Sequence, residues 1–265
     1  MRAYRVAYDG QPYRGFQRQP DVPTVEDALL DALDALDVVA AGDTPDGYAA
    51  AGRTDAGVSA VAQTVAFDAP EWLSPAAVNS ELPPSIRAWA SADVPADFHA
   101  THHATERIYR YFLHAPDASD DRAREAMDRL AGNHDFANLT PDEDGTERTL
   151  STALARDGPF LSLTFRAGGF PRQFVRRAVS LVATVARGGD LARVDRALSP
   201  EPLPGPEGIA PAPPEPLVLA GVSYPALSFA ADDGAREQAL DLFEEWRVER
   251  TTAARVAAAL QDGLR

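Results

Sequence analysis

Tyr4, Val6 and Tyr8 recur at every second position, which predicts a half-buried strand at the start of the chain. Asp9-Gly10-Gln11-Pro12 reads as a turn, and Tyr13 to Gln19 as a polar-aromatic segment. A helix then has a clear start: Thr24 stands in capping position with Asp27 three residues on, and Val25, Leu29, Leu33 and Leu36 mark one face. Val61, Gln63, Val65 and Phe67 alternate with Ala62, Thr64 and Ala66 as a second strand. Ser74-Pro75 opens a short helix that Pro83-Pro84 ends, and Ile86 to Ala92 is a third strand.

The second part repeats that order. Tyr109, Tyr111 and Leu113 alternate with Ile108, Arg110 and Phe112. Ser119 caps a helix with Ala123, Met127 and Leu130 inward, closed by Gly132. Thr149 to Arg156 and Phe160 to Arg166 form strands joined at Asp157-Gly158-Pro159. A helix is expected from about Pro171 to Arg187, with Phe174, Ala178, Leu181, Val182 and Val185 as its apolar face. The proline-dense run from Glu201 to Pro216 predicts an extended surface connection. Leu217 to Tyr224 returns as a strand, and the tail from Ala235 is a helix with Leu240, Phe243 and Trp246 on one side. The expected division is 1–98 and 99–265, the second part including the proline-rich loop 201–216 and the C-terminal helix.

Composition narrows the chemistry. At 265 residues the chain can bury a core without staples, and it has no cysteine, which excludes disulfides, thiolate zinc and a cysteine nucleophile. No apolar run approaches a membrane span, and the first strand begins without a leader, so a cytoplasmic protein is expected. Forty acidic residues face 25 basic ones, a formal charge of −15, and every basic residue is arginine. Such a surface suits a salty cytoplasm, where screening suppresses self-repulsion. The sign alone argues against a nucleic-acid partner, but the arginines cluster locally: Arg14 with Arg18, Arg107 with Arg110, and Arg172 with Arg176 and Arg177.

The densest chemistry lies in Ala51-Gly52-Arg53-Thr54-Asp55-Ala56-Gly57-Val58, where glycines on both sides allow a sharp turn and close approach of a ligand. The strand that follows places Asp55 on a braced loop, a common site for a catalytic side chain; alone, an Asp-x-Gly is more often a turn aspartate capping its own backbone. His99, His102 and His103 lack the spacing of a helical metal pair, and Gly168-Gly169 lacks the lysine and hydroxyl of a phosphate loop. Tyr109 and Tyr111 on one strand face would by themselves be core, and Arg176 a solvated charge.

Several segments together resemble the TruA-type tRNA pseudouridine synthases. They are Tyr8-Asp9-Gly10, Gly15-Phe16-Gln17-Arg18-Gln19, Val25 to Leu33, the Ala51-Gly52-Arg53-Thr54-Asp55-Ala56-Gly57-Val58 run, Asn79 to Pro83, Phe98-His99-Ala100, Arg107-Ile108-Tyr109-Arg110-Tyr111, His134-Asp135-Phe136, Arg148-Thr149, Phe174-Val175-Arg176 and Leu217 to Tyr224. The match spans about residues 3 to 225. It departs at Ser59, where histidine is common, at Thr101, where arginine is common, and in the acidic stretch 141–147.

The resemblance implies an α+β enzyme of two ferredoxin-like halves sharing a mostly antiparallel sheet, with the active-site cleft between them. It implies isomerisation of uridines 38, 39 and 40 in the anticodon stem-loop of tRNA, without cofactor or metal, by a homodimer. By similarity Asp55 is the catalytic carboxylate, Arg176 its ion-pair partner, and Tyr109 the aromatic that stacks on the extruded base. Arg53 would help displace the flipped nucleotide, and Arg14, Gln17, Arg18, Arg107 and Arg110 would contact the RNA. The chemistry agrees: opening a glycosidic bond needs an ionised carboxylate, which a neighbouring arginine favours, and a stem uridine must leave its stack. A different or broader RNA target, a non-catalytic RNA-binding module and a base-releasing hydrolase are the alternative readings.

Overall fold

The computed structural model describes residues 1–205 and 208–265. The first half runs β1 (Arg2–Tyr8), α1 (Val25–Ala35), β2 (Ala49–Ala50), β3 (Ser59–Phe67), α2 (Pro75–Asn79) and β4 (Ile86–Asp93). The second runs β5 (Glu106–His114), α3 (Asp120–Leu130), β6 (Gly132–Asp135), β7 (Glu147–Asp157), β8 (Phe160–Ala167), α4 (Phe174–Ala186), α5 (Ala192–Ala197) and β9 (Leu217–Ser223). The tail adds β10 (Ala230–Ala231) and α6 (Asp233–Asp262).

The strands form one sheet in the order β10-β4-β1-β3-β9-β5-β8-β7-β6, with β2 on β3. In each half the opening strand lies between two later ones, β1 between β4 and β3, β5 between β9 and β8, all antiparallel. The halves meet at the parallel pair β3–β9, which is only two residues long: Ser59 opposite Val218 and Ala60 opposite Leu219. That seam begins directly after the Asp55 loop. Further along β3 its pairing passes to β2, so the two halves separate beside Asp55.

Local signals account for the elements. Thr24 caps α1 by accepting from Asp27 N at 3.1 Å and donating to Asp27 Oδ2 at 2.5 Å. Val25, Leu29, Leu30 and Leu33 then bury against Tyr4, Tyr8, Val65 and Phe67 in the first core. Ser74 and Ser119 cap α2 and α3 as expected. In the second core α3 and α4 pack on β5, β7 and β8, and Leu161, Leu163 and Phe165 are fully buried on one face of β8. Tyr109 touches both cores.

Three sequence expectations change. Helix α4 starts at Phe174 rather than near Pro171, because Gln173 sits in the left-handed region at φ 60° and Pro171–Phe174 closes a turn first. The proline-rich connection does not merely cross the surface: Ile209 and Ala212 are buried in the second core. Prolines leave no N–H to strand in an apolar contact, so such a segment can lie on a helix at little polar cost. Pro206 and Glu207 of that stretch lie outside the described residues. Finally, Leu240 is 63% exposed while Phe243 and Trp246 are half-buried edge-to-face at 5.3 Å, so the three do not share a buried side.

The segment after β9 returns to the first half. β10 pairs with β4, Asp232 N bonds Trp89 O at 3.0 Å, and α6 runs along β4 and α2. Among the described residues no helix is long and apolar enough to cross a membrane.

Candidate active site

The loop between β2 and β3 is clamped by the segment 10–16. Phe16 N bonds Thr54 O at 3.0 Å, Gly57 N bonds Tyr13 O at 3.3 Å, and Thr54 Oγ1 shares a 2.7 Å hydrogen bond with Tyr8 Oη. The approach is so close that a Cβ on Gly10 would lie 2.1 Å from Val58 O, so only glycine fits there. Gly57 turns the chain at φ +80°, and Val58 N bonds back to Asp55 O at 3.1 Å. Both glycine-flanked turns serve one end: the Asp55 carboxylate stands on a fixed backbone at the seam.

Arg176, from the first turn of α4, reaches across the seam. Its Nη1 donates to Asp55 Oδ2 at 3.0 Å and its Nε to Ala212 O at 2.7 Å. The side chains are 28% and 15% exposed, so the pair is open to solvent on the aspartate side. Tyr109 lies beside it, with Phe170 edge-on at 5.2 Å. These groups line a cleft of about 1120 Å³. The arrangement offers a carboxylate paired with a guanidinium, an aromatic wall and room for an everted nucleoside.

Burial, with the Asp55 charge second, raises the Tyr109 pKa above the ordinary tyrosine value, so its hydroxyl stays protonated. Tyr8 is raised by burial as well, and Tyr4 and Tyr224 are pushed up to about 12. Tyr4 and Tyr224 donate to the carbonyls of Leu73 at 2.8 Å and Ala100 at 2.6 Å, which the phenolates could not do. Because the unfolded chain ionises its tyrosines near pH ~10 while the fold holds them protonated, this stability is present in full below that pH. It falls progressively toward pH 12 as the unfolded state gives up protons the native state keeps. Denaturant melts at pH 8, 10 and 11 check this; an unchanged unfolding free energy across the series would contradict it.

The structure sorts the remaining sequence-predicted residues. Arg14, Gln17 and Arg53 are exposed on the cleft wall. Among the described residues the guanidinium groups of Arg14 and Arg53 have no ion-pair partner and keep their donors free for a polyanion. Arg18 does not belong with them. It lies off the cleft, where its Nε donates to Asp27 at 2.7 Å and its Nη1 to Gly42 O at 3.1 Å. Arg110 points to the opposite sheet face from Tyr109, because side chains alternate along β5. A spacing of three on a strand also separates it from Arg107, so the two form no cluster.

Arg107 is a structural residue. It is buried and donates to the carbonyls of Ala51, Ala104 and Thr101, with a further bond to Gly168 O. It thereby fastens the entry of the Asp55 loop to β5. Replacing Arg107 by methionine strands those carbonyls in the interior, a loss on the order of 3 kcal/mol. The expected result is a markedly lower thermal midpoint. A variant with unchanged stability but weakened RNA affinity would return Arg107 to the RNA contacts.

The cleft also gathers residues that sequence reasoning passed over. Phe170, from the Gly168-Gly169-Phe170-Pro171 turn, walls it beside Tyr109. The only signal was an aromatic in a glycine-proline turn, where no strand or helix pattern required one. Arg172 stands at the rim but is held by Asp142, with Nε to Oδ1 at 3.2 Å. The tilted rings of His99 and His102 lie 4.1 Å apart along the cleft, and the His99 pKa is lowered by burial and by its histidine neighbours. Among the described residues no group of three His, Cys, Asp or Glu side chains is placed to hold a metal.

A family model described as tRNA pseudouridine synthase matches residues 126–225. The chain is 61% identical over 275 residues to the tRNA pseudouridine synthase A of Haloarcula marismortui, covering 100% of each chain. It is 61% identical over 263 residues to the protein of that name from Natronomonas pharaonis, covering 98% of each. Among solved structures, a chain of a Cbf5-Nop10-Gar1 complex aligns over 70% of this chain and 45% of its own, at 12% identity and a TM-score of 0.37.

Proposed function

Because this chain belongs to the tRNA pseudouridine synthase A family, an isomerase family that converts uridine to pseudouridine in tRNA, we propose that Asp55 starts that reaction here with Arg176 and Tyr109 beside it. The observation that carries the assignment is the 3.0 Å ion pair between Asp55 and Arg176, two residues brought from opposite halves to the cleft. In the reaction the N1–C1′ bond of the uridine breaks, the freed uracil turns, and C5 bonds to C1′. C5 then gives up its proton and N1 gains one, so the base is isomerised with nothing added or lost. A carboxylate is the group suited to opening a glycosidic bond, and Arg176 holds it in place at 3.0 Å.

Tyr109, neutral and walled by Phe170, offers a face on which the extruded base stacks and a hydroxyl that can donate. Arg53, free at the mouth, replaces the everted nucleotide in the stem. Arg14 and Gln17 hold the adjoining backbone, and the high content of acid elsewhere confines phosphate contact to this cleft. The targets are uridines 38, 39 and 40 of the anticodon stem-loop, the working form is a homodimer holding one tRNA, and the location is the cytoplasm.

The test is incubation with unmodified tRNA transcripts in molar KCl, followed by mapping of pseudouridine along the product. Conversion at 38, 39 and 40 is the expected outcome. Pseudouridine only elsewhere in the tRNA would overturn the positions, and release of free uracil would turn the reading toward a hydrolase.

A further inference from the structure

The proline-rich segment ahead of β9 has an unusual sequence: from Ala210 to Pro216 every residue is a proline or immediately precedes one. Proline fixes its own φ near −65° and restricts the residue before it, so this stretch has few conformations to lose on folding. It ends in a turn, Leu217 N to Pro214 O at 2.9 Å, and is fastened to β5 by Phe112 N to Pro216 O at 3.1 Å.

This stiff segment touches both sides of the ion pair. On the arginine side, Ala212 O accepts from Arg176 Nε at 2.7 Å while Ala212 N donates to Arg176 O at 3.0 Å. One residue thus holds both the side chain and the backbone of Arg176. Since a guanidinium is planar, fixing Nε also fixes the plane in which Nη1 meets Asp55. The next arginine is held the same way, Arg177 Nη1 donating to Ile209 O at 2.7 Å. On the aspartate side, the Pro214 ring lies against Gly57, two residues after Asp55, where an added Cβ would come within 3.0 Å of Pro214 Cγ. Ile209 and Ala212 are buried beneath, which anchors the segment to α4.

We propose that residues 209–216 are a strap that sets the geometry of the Asp55–Arg176 pair, with Ala212 and Pro214 as positioning residues for the isomerisation. The strap rests on the assignment of that pair as the reacting centre. None of its residues is among those that line the cleft. Its contribution is to hold the two charged groups, which arrive from different halves, in one fixed relation while the nucleotide is everted between them. Loosening it leaves the binding surface intact and misplaces the carboxylate, and displacements on the order of 1 Å can cost about 100-fold in turnover.

The test uses full-length protein with two altered straps, Pro211→Gly combined with Pro213→Gly, and Pro214→Gly alone. Each is expected to lower kcat by about 10-fold or more with KM and tRNA affinity within about twofold of the parent. Assays run well below the thermal midpoint, which is measured for each variant. Pro204→Ala, in the same proline-rich stretch but upstream of the contacts, is expected to turn over normally. Placed on an Arg176→Lys background, which lacks the Nε donor, the first strap variant is expected to add no further loss in single turnover.

Wild-type kcat in both straps, a loss carried by KM, or full additivity on the lysine background would each overturn the proposal. The assignment beneath it is judged separately, by Asp55→Asn: product from that variant would remove the reacting centre itself, whereas normal turnover in the strap variants leaves the centre standing and removes only the strap.

Discussion

Asp55→Asn is expected to abolish pseudouridine formation, with a loss of at least about 10⁴-fold in single turnover, while tRNA binding and the thermal midpoint stay near those of the parent. Asparagine keeps the shape and one acceptor oxygen for Arg176 Nη1, which now donates to Asp55 Oδ2 at 3.0 Å. It loses the negative charge that opening the N1–C1′ bond requires, whether that charge attacks the sugar or stabilises it. The Asp55 side chain is 28% exposed, so the substitution does not create a buried hole. Backbone contacts from Phe16, Tyr13 and Thr54 hold the loop without it. Product at the parental rate would remove Asp55 from the chemistry.

Arg176→Ala has the second largest expected effect, a fall in kcat on the order of 100-fold with tRNA affinity changed by less than about threefold. The asymmetry follows from where its donors go. Nη1 is spent on Asp55 and Nε on Ala212, and the side chain is only 15% exposed. Little is left to meet a phosphate, so the loss falls on the carboxylate. Without its partner Asp55 loses the donor that holds it in position when water is displaced by the nucleotide. Separate measurement of kcat and of Kd by filter binding or fluorescence checks this. A large loss of affinity at unchanged kcat would make Arg176 a phosphate contact instead.

The two variants read different properties of one pair. Asp55→Asn removes the reacting group and keeps its surroundings; Arg176→Ala keeps the group and removes what orients it. Effects of residues that act as a unit are not additive, so the double variant is expected to be no worse than Asp55→Asn alone.

Much of the site could be read from the chain because its signals are local. Glycine at position 57 is demanded by a turn at φ +80°, and the alternation from Val61 to Phe67 reads as a strand that leaves the preceding residues on a loop. Thr24 and Asp27, or Ser119, announce a helix start within four residues of chain. The arginines were harder. Arg107 and Arg110 are three apart on a strand, so alternation alone could have put them on opposite faces. That Arg107 is buried under five hydrogen bonds, however, depends on Ala51 and Gly168 arriving from elsewhere. Arg18 likewise looks free in the sequence, yet nine residues on Asp27 captures it.

The proline-rich segment shows the same divide from the other side. Its stiffness is legible in every residue from Ala210 to Pro216, but a stiff segment can equally span open surface or press on a helix. Only the apolar contacts of Ile209 and Ala212 with α4 decide between them. The tail helix was legible as a helix, while its return to β4 and α2 was not.

What this sequence determined by itself is therefore the set of elements and the loop on which Asp55 stands, since caps, turns and alternation are written within a few residues; the reaction class came from the family resemblance of its motifs and not from those local signals. What only the tertiary structure decided is the meeting of Asp55 with Arg176, 121 residues apart. Periodicity says which face of an element is buried but not which other face it meets. That choice was made by the two-residue parallel seam of β3 on β9 and by the packing of α4 against its strap, contacts whose free energy exists only once the halves have come together.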